Sequence, residues 1–353
     1  MKAGIVGFSG VGKSTLFGLL TQVAGAASDR AEHMGVLKVP DVKLEKLTEL
    51  HTSRKTTPAT IEFVLIPSLV KGRSSDKLDL ASLRAVDVLV HVVRAFDAPS
   101  VPHPEGSVDA ARDIEVMELE LTLADLAVVE KRHERMVTDG KKGRPVDPKE
   151  IELLDKAKQA LSEGHALRQA LTGPEREALR GYSLLTAKPI LTVVNVSEDQ
   201  AAETDLTQEL GLTVWTEASE FSLLYVSVGI EAEIAELSPD DALTFRQELG
   251  LEDGAVQRIV RAAFELMSLI TFYTAGDTES RAWIIPRDTS AAKAAGTIHS
   301  DMERGFIRAE VVTYDVLVAE GAWNACRDKG LLRLEGKDYP IHEADVVYFR
   351  FNV

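Results

Sequence analysis

Gly7-Phe8-Ser9-Gly10-Val11-Gly12-Lys13-Ser14 fits the pattern G-x-x-x-x-G-K-[ST] and sits where that pattern has chemical meaning. The apolar run Ala3-Gly4-Ile5-Val6 before it reads as a buried strand, and Thr15 to Leu20 after it reads as the first turns of a helix. A glycine-rich turn between strand and helix brings backbone N–H groups around phosphate oxygens, and the glycines remove Cβ atoms that would block the approach. Gly7, Phe8, Ser9, Gly10, Val11, Gly12, Lys13, Ser14 and Thr15 are therefore candidate nucleotide-binding residues. Lys13 is placed to reach the β/γ-phosphates and the Ser14 hydroxyl to coordinate Mg²⁺. A plain Gly-rich turn is the alternative, and a chain of this length meets the pattern by chance only on the order of 1% of the time.

Working outward, Thr60–Ile66, Val86–Val93, Pro189–Val194 and Leu223–Val228 read as further strands, several of them almost wholly apolar. Apolar strands separated by helical stretches predict a doubly wound, mostly parallel α/β sheet covered on both faces. Ligands of such sheets bind beyond the carboxyl ends of the strands. Between the third and fourth strands, Leu119, Leu123, Leu126, Val129 and Met136 recur at helical spacing, and Ile151, Leu154, Ala157 and Leu161 form a second stripe. Asp147-Pro148-Lys149-Glu150 reads as the second helix's start, with Asp as N-cap and Glu three residues on. An antiparallel helical hairpin is expected there. Its tip collects Lys131, Arg132, Arg135, Lys141, Lys142 and Arg144, which is either a solvated helix end or a patch facing RNA. His133, near the apolar stripe, is read as a packed side chain. From about Leu269 the pattern becomes short strands with one helix over Ser290–Glu303, an α+β domain.

Composition narrows the function classes. The chain has 353 residues, 45% of them hydrophobic, and no apolar run near the ~20 residues of a membrane span. Met1-Lys2-Ala3 runs straight into the first strand, so no signal peptide is expected. Cys326 is the only cysteine, so no intrachain disulfide forms, which fits a reducing cytoplasm. A net charge of −16 opposes general attraction to nucleic acid, so DNA is not an expected partner, and without an apolar span neither is a membrane. Any RNA contact has to come from a local basic patch.

The chain resembles the YchF-type Obg-like ATPases, a branch of the P-loop GTPase superclass. The resemblance covers nearly the whole chain. It is densest in Ala275-Gly276, Arg281-Ala282-Trp283, Ile298-His299-Ser300-Asp301, Gly305–Ala309, Glu335–Tyr339 and Phe351-Asn352-Val353, which look like that family's C-terminal TGS domain, a β-grasp module. Ala59–Val64, Leu69–Gly72, Asp113–Val116 and Ile230–Ile234 also match. It implies three domains: nucleotide-binding over 1–114 and 185–268, helical insertion over 115–184, and β-grasp over 269–353. It also implies ATP with Mg²⁺ as ligands and the ribosome, through large-subunit RNA and protein, as partner.

Base recognition follows from the resemblance. Guanine readers carry N-K-x-D; this family has N-x-x-E and is associated with ATP, and this chain has Asn195-Val196-Ser197-Glu198 after a buried strand. On spacing alone those residues could be a polar turn closing the strand. The resemblance makes Asn195, Val196 and Glu198 base-side contacts and puts Ser227 in the last base-contacting loop, although Ser227 could also cap the next element. His103, after the third strand and between Pro102 and Pro104, matches the histidine through which the family is proposed to orient water. A lone loop histidine is otherwise more often exposed and idle.

The departures from the family lie in the switches. The D-x-x-G after the second strand is Leu65-Ile66-Pro67-Ser68, so Leu65 stands where a carboxylate helps fix Mg²⁺ and Ser68 where a glycine N–H senses the γ-phosphate. The first switch is altered over Asp29–Gly35, the glycine-rich second switch is shortened to Arg73–Leu78, and Ser9-Gly10 replaces the family's Pro-Asn. Two functions remain open: a slow ATPase switch reporting to a ribosomal partner, or a nucleotide-binding module with a degenerate switch that serves as a partner-binding protein. A small-molecule kinase is the weaker third reading, because no acceptor site is visible.

Overall fold

The computed structural model describes residues 1–23, 33–67, 80–216, 221–251 and 253–352. Chain contacts group it into two units, Met1–Leu37 with Glu62–Leu266, and Lys38–Ile61 with Met267–Val353.

The first unit is built on a six-stranded sheet. Its strands are β1 (Lys2–Val6), β2 (His33–Lys38), β4 (Thr60–Leu65), β5 (Val88–Arg94), β6 (Ile190–Asn195) and β7 (Phe221–Val226), in the order β2-β4-β1-β5-β6-β7. The short strand β3 (Thr56–Thr57) belongs to the second unit. β4, β1, β5, β6 and β7 run parallel, with Ile5 paired to Leu65 and to Val90, and Asn195 paired to Arg94 and to Val226. Every residue of β5 and β6 is buried, as expected for strands covered on both faces. β1 and β4 sit on either side of the topological switch, so the loop after β1 opens at the carboxyl edge where ligands bind.

The helical insertion is a single long helix, Ala110–Lys141, folded back against Pro148–Ser162. A boundary at residue 115 would cut that helix. Its early residues Ile114, Met117 and Leu121 pack into the sheet core, while Val129 and Met136 pack with Leu154, Ala157 and Leu161 in the hairpin. Asp147 caps the second helix by accepting from Lys149 N–H. Glu150 does not complete a capping box; its carboxylate takes the Arg132 guanidinium and the Tyr182 hydroxyl instead. His133 is partly buried, with Nε2 2.8 Å from Asp155 Oδ1.

Buried charge ties the hairpin's base to the sheet. Asp125 is fully buried and accepts from Thr186 N–H at 2.7 Å, Thr186 Oγ1 at 2.8 Å and Arg84 at 3.1 Å. Arg168, also buried, pairs with Glu118 and donates to Thr186 O.

The second unit carries the sheet β11-β10-β12-β8-β9-β3, from β8 (Leu269–Thr274), β9 (Ser280–Pro286), β10 (Phe306–Thr313), β11 (Arg333–Glu335) and β12 (Asp345–Phe351). The β8–β9 hairpin, the helix Ala291–Ile298 and β12 lying parallel to β8 give the expected β-grasp arrangement. The single helix read over Ser290–Glu303 breaks at His299, whose Nδ1 accepts from Asp301 N–H and so caps a second short helix.

Residues 38–61, expected in the nucleotide domain, group instead with this second unit. Leu44 and Leu47 of the helix Val42–His51 pack with Tyr273, Ala282, Val312 and Leu317. Thr56 and Thr57 pair with Ser280 and Arg281, and the Tyr273 hydroxyl donates to Asp41. These contacts are made across more than 200 positions of chain, as for Ser53 and Ser280, and no local pattern announces them.

Replacing Asp125 by Ala leaves the Thr186 donors and Arg84 facing a buried gap. The expected cost is about 3–5 kcal/mol of unfolding free energy. Urea denaturation of Asp125→Ala beside the wild type measures it, and a loss below about 1 kcal/mol would count against this role.

Candidate nucleotide site

The phosphate loop leaves β1 at Gly7 and feeds the helix Lys13–Thr21, whose N-cap is Gly12 with φ 102°. A Cβ on Gly12 would stand 2.4 Å from Asn195 Nδ2, and one on Gly7 would stand 2.3 Å from Val92 O. Both contacts are closer than real Cβ atoms allow, so the two glycines are required by the packing beneath the loop. Phe8 and Val11 are buried, anchoring the loop from below, while Ser9 and Gly10 lie nearer solvent.

Asn195, the last residue of β6, ties the site together. Its Nδ2 donates to Val11 O and its Oδ1 accepts from Val228 N–H, both at 3.0 Å, while its backbone oxygen accepts from Ala95 N–H at 2.8 Å. Three loops from the ends of β1, β5 and β7 therefore converge on one buried residue, two of them on its side-chain amide. The cleft above them holds about 360 Å³ and is lined by Gly10, Gly12, Lys13, Ser14, Thr15 and Asn195, with Phe96, Val101, Val228 and Gly229 completing it. The last four were not singled out in the sequence. Phe96, an aromatic just past a buried strand, and Gly229, at the start of a helix, were the available signals.

The other expected base-side residues are placed differently. Val196 is buried in the sheet core, Glu198 is exposed in the turn after β6, and Ser227 occupies the N-cap position of the helix Val228–Glu236 without a side-chain capping bond. None of the three lines the cleft.

Lys13 is buried, and its Nζ donates to Phe8 O at 2.6 Å. Its charge is felt by His91 on β5, which is also buried. Burial, with the Lys13 charge adding to it, pushes the His91 imidazole down to about 3. The ring is therefore neutral beneath the phosphate loop, and among the described residues its Nε2 has no hydrogen-bond partner.

His103 is not an exposed loop side chain. Its side chain is buried, its Nδ1 accepts from Glu105 N–H at 3.2 Å, and its Nε2 lies 2.9 Å from Asp113 Oδ2, a close contact without hydrogen-bond alignment. Its ring stands edge-on to Phe8 of the phosphate loop with centroids 6.1 Å apart. Burial raises the Asp113 carboxyl above the usual range, opposed by Arg112 and His103. The loop carrying His103 is braced by Arg94, whose guanidinium donates to the carbonyls of Phe96, Ala98 and Val101.

Leu65, where the family's Mg²⁺-associated carboxylate would stand, is 2% exposed at the end of β4. Among the residues read as metal-associated, Ser14 is the one at the cleft. Ser68, Leu69, the first-switch residues Asp29–Glu32 and the shortened second switch Arg73–Leu78 lie outside the described residues.

A phosphate loop at the mouth of a parallel sheet, with an asparagine brace from a neighbouring strand, defines a P-loop nucleotide-binding protein of the GTPase superclass. The chain belongs to the YchF family. It is 40% identical over 365 residues to the ribosome-binding ATPase YchF of Bacillus subtilis, the match covering 100% of both chains. It is 38% identical over 362 residues to the ribosome-binding ATPase YchF of Haemophilus ducreyi, covering 100% of this chain and 99% of that one. The fold superposes on the structure of the Schizosaccharomyces pombe YchF GTPase with a TM-score of 0.83 and 29% identity, covering 99% of this chain and 97% of that chain. The family model YchF-GTPase_C, described as a protein of unknown function (DUF933), matches residues 269–352.

The neutral His91 makes stability depend on pH. The folded chain keeps the ring unprotonated down to about 3, while an unfolded chain protonates it near the ordinary 6.5. Between those values the unfolded state binds more protons, so His91 contributes stability that is complete above pH 6.5 and is lost as pH falls toward 3, at up to about 1.4 kcal/mol per pH unit. Denaturation of the wild type and His91→Leu across pH 4–7 should show a shallower slope for the variant, and equal slopes would refute this.

Proposed function

We propose that the chain is an ATP-binding P-loop NTPase of Obg-like type, with slow Mg²⁺-dependent hydrolysis at most, acting as a nucleotide-dependent regulator on the ribosome. The observation that carries this reading is the cradle formed by the phosphate loop and Asn195, whose cleft offers Lys13, Ser14 and a helix N-terminus to a polyphosphate. The choice of ATP over GTP rests on Asn195-Val196-Ser197-Glu198, which lacks the lysine and aspartate that read guanine. Asn195 acts by bracing the loop, and Glu198 and Ser227 are the candidates for contact with the base edge. Mg²⁺, when bound with the nucleotide, supplies charge neutralisation of the phosphate oxygens, and Ser14 is the side chain placed to hold it. His103 is the candidate for orienting water.

The ribosomal partner is supported by the names of the bacterial relatives and by the hairpin tip. Arg132 and Arg144 are engaged by Glu150 and Asp139, while Lys131, Lys141 and Lys142 are exposed. On a chain of net charge −16 this is a local basic surface suited to RNA phosphates. Such work accords with a cytoplasmic location, and no described helix is long and apolar enough to cross a membrane.

A second reading, a partner-binding module that does not hydrolyse its nucleotide, is favoured by Leu65. A hydrocarbon side chain 2% exposed in the sheet cannot act as the carboxylate that steadies the metal. Steady-state Mg²⁺-dependent turnover separates the two readings.

ATP is expected to bind at least about tenfold more tightly than GTP, a difference of about 1.4 kcal/mol. Lys13→Ala should weaken both by about tenfold or more through loss of a charge-assisted contact. Titration with ATP, GTP and ADP checks both, and GTP binding as tightly as ATP would overturn the base assignment. Ribosome co-sedimentation should fall on reversing Lys141 and Lys142 to Glu and should weaken steeply with salt. Sedimentation unchanged by those reversals would remove the tip from the partner surface.

A further inference from the structure

The side chain of His103 is closely confined. Nδ1 accepts from the Glu105 N–H, and Nε2 is shut against the Asp113 carboxylate 2.9 Å away, a close contact without hydrogen-bond alignment. The imidazole is 3% exposed and Asp113 0%. Asp113 Oδ1 also takes Nε and Nη2 of Arg112, at 3.1 and 2.7 Å, and Arg112 in turn donates to Ser107 Oγ and Ser107 O. One carboxylate therefore gathers both ends of the turn between residues 103 and 107. Phe8 closes the side toward the phosphate loop.

A ring held in this way cannot present a nitrogen to a water molecule at the γ-phosphate. Turnover through His103 is then scaled by the fraction of time the ring is released. Asp113 lies in the first turn of the helix Ala110–Lys141, and the basic tip lies roughly 40 Å further along the same rod.

We propose that Asp113 is the positioning residue for His103: from the first turn of the hairpin helix it holds the ring in a closed, buried pose, and ATP turnover waits on its release. This rests on the reading of His103 as the water-orienting group. The alternative is a buried imidazole–carboxylate contact that only stabilises the loop. The two differ in the sign of the effect on turnover. A structural pair, once broken, lowers turnover or leaves it unchanged. A restraint, once weakened, raises kcat with KM nearly constant, because Asp113 does not line the cleft proposed to hold the nucleotide.

The experiment is steady-state ATP hydrolysis by the full chain as wild type, Asp113→Asn, His103→Ala and the double variant. Asp113→Asn preserves shape and removes the charge. Its kcat is expected to rise about three- to tenfold with KM changed less than about twofold, and the double variant should fall to the level of His103→Ala. An Asp113→Asn kcat at or below the wild type, where His103→Ala abolishes wild-type turnover, overturns the positioning role alone. Wild-type turnover that is absent or survives His103→Ala overturns the reading of His103, and the proposal with it. Ring ¹⁵N NMR of the wild type needs no variant to fold. The Nε2–H tautomer is expected for His103, and the Nδ1–H tautomer would overturn the closed pose.

Discussion

The side-chain amide of Asn195 is the contact on which the rest of the nucleotide site depends. One end accepts from the helix that follows β7 and the other donates to the phosphate loop that follows β1, so two loops far apart in sequence take their positions from one buried group. The arrangement works because the loop backbone lies close enough to the amide to exclude a Cβ at Gly12. A buried amide with both its oxygen and its nitrogen satisfied is stabilising; left half-satisfied it would cost about 1–3 kcal/mol. Asparagine at the end of β6 is therefore an architectural requirement before it is a recognition residue.

Charge is placed with similar economy. Lys13 sits buried above a histidine that burial keeps neutral, so the floor of the site carries one positive charge instead of two. Elsewhere, buried ion pairs stand where the helical insertion joins the sheet, at Asp125 with Arg84 and Arg168 with Glu118. Such pairs contribute little net stability over packed hydrocarbon, but losing one partner is expensive, which makes them suited to fixing a direction. Here they set where the long helix leaves the sheet. The same helix begins with Asp113 beside His103, so the insertion's foundation and the candidate hydrolytic loop share one turn of helix.

The substitution of Leu65 bears on the chemistry in a different way. At the end of β4 its side chain is part of the hydrophobic interior, and its backbone pairs with Ile5 as any strand residue would. The fold therefore accommodates leucine here as an ordinary buried strand residue, and a hydrocarbon side chain offers no anion to a metal. Fold and switch chemistry are separable at this residue, and family membership fixes only the first.

The sequence by itself determined the parts whose signals are local. Strand–glycine turn–helix at residues 3–20 specified the phosphate loop, because φ above zero at Gly12 and close backbone approach demand glycine whatever surrounds it. The apolar runs of β5 and β6 announced a sheet covered on both faces, and the stripes of Leu and Met announced the hairpin. Tertiary structure alone decided the rest. Helix Val42–His51 and the short strand β3 joined the β-grasp sheet because Leu44, Leu47 and the Thr56–Ser280 pairing find partners more than 200 residues away, and sequence spacing carries no record of such partners. Glu150 left the capping position its spacing indicated because Arg132 and Tyr182 offered a stronger charge-assisted contact. His103 read as a loop histidine and became a buried one, since burial and the approach of Asp113 depend on how a loop lies against a helix. That packing is a property of three dimensions, where free energy is gained from neighbours the chain order does not name.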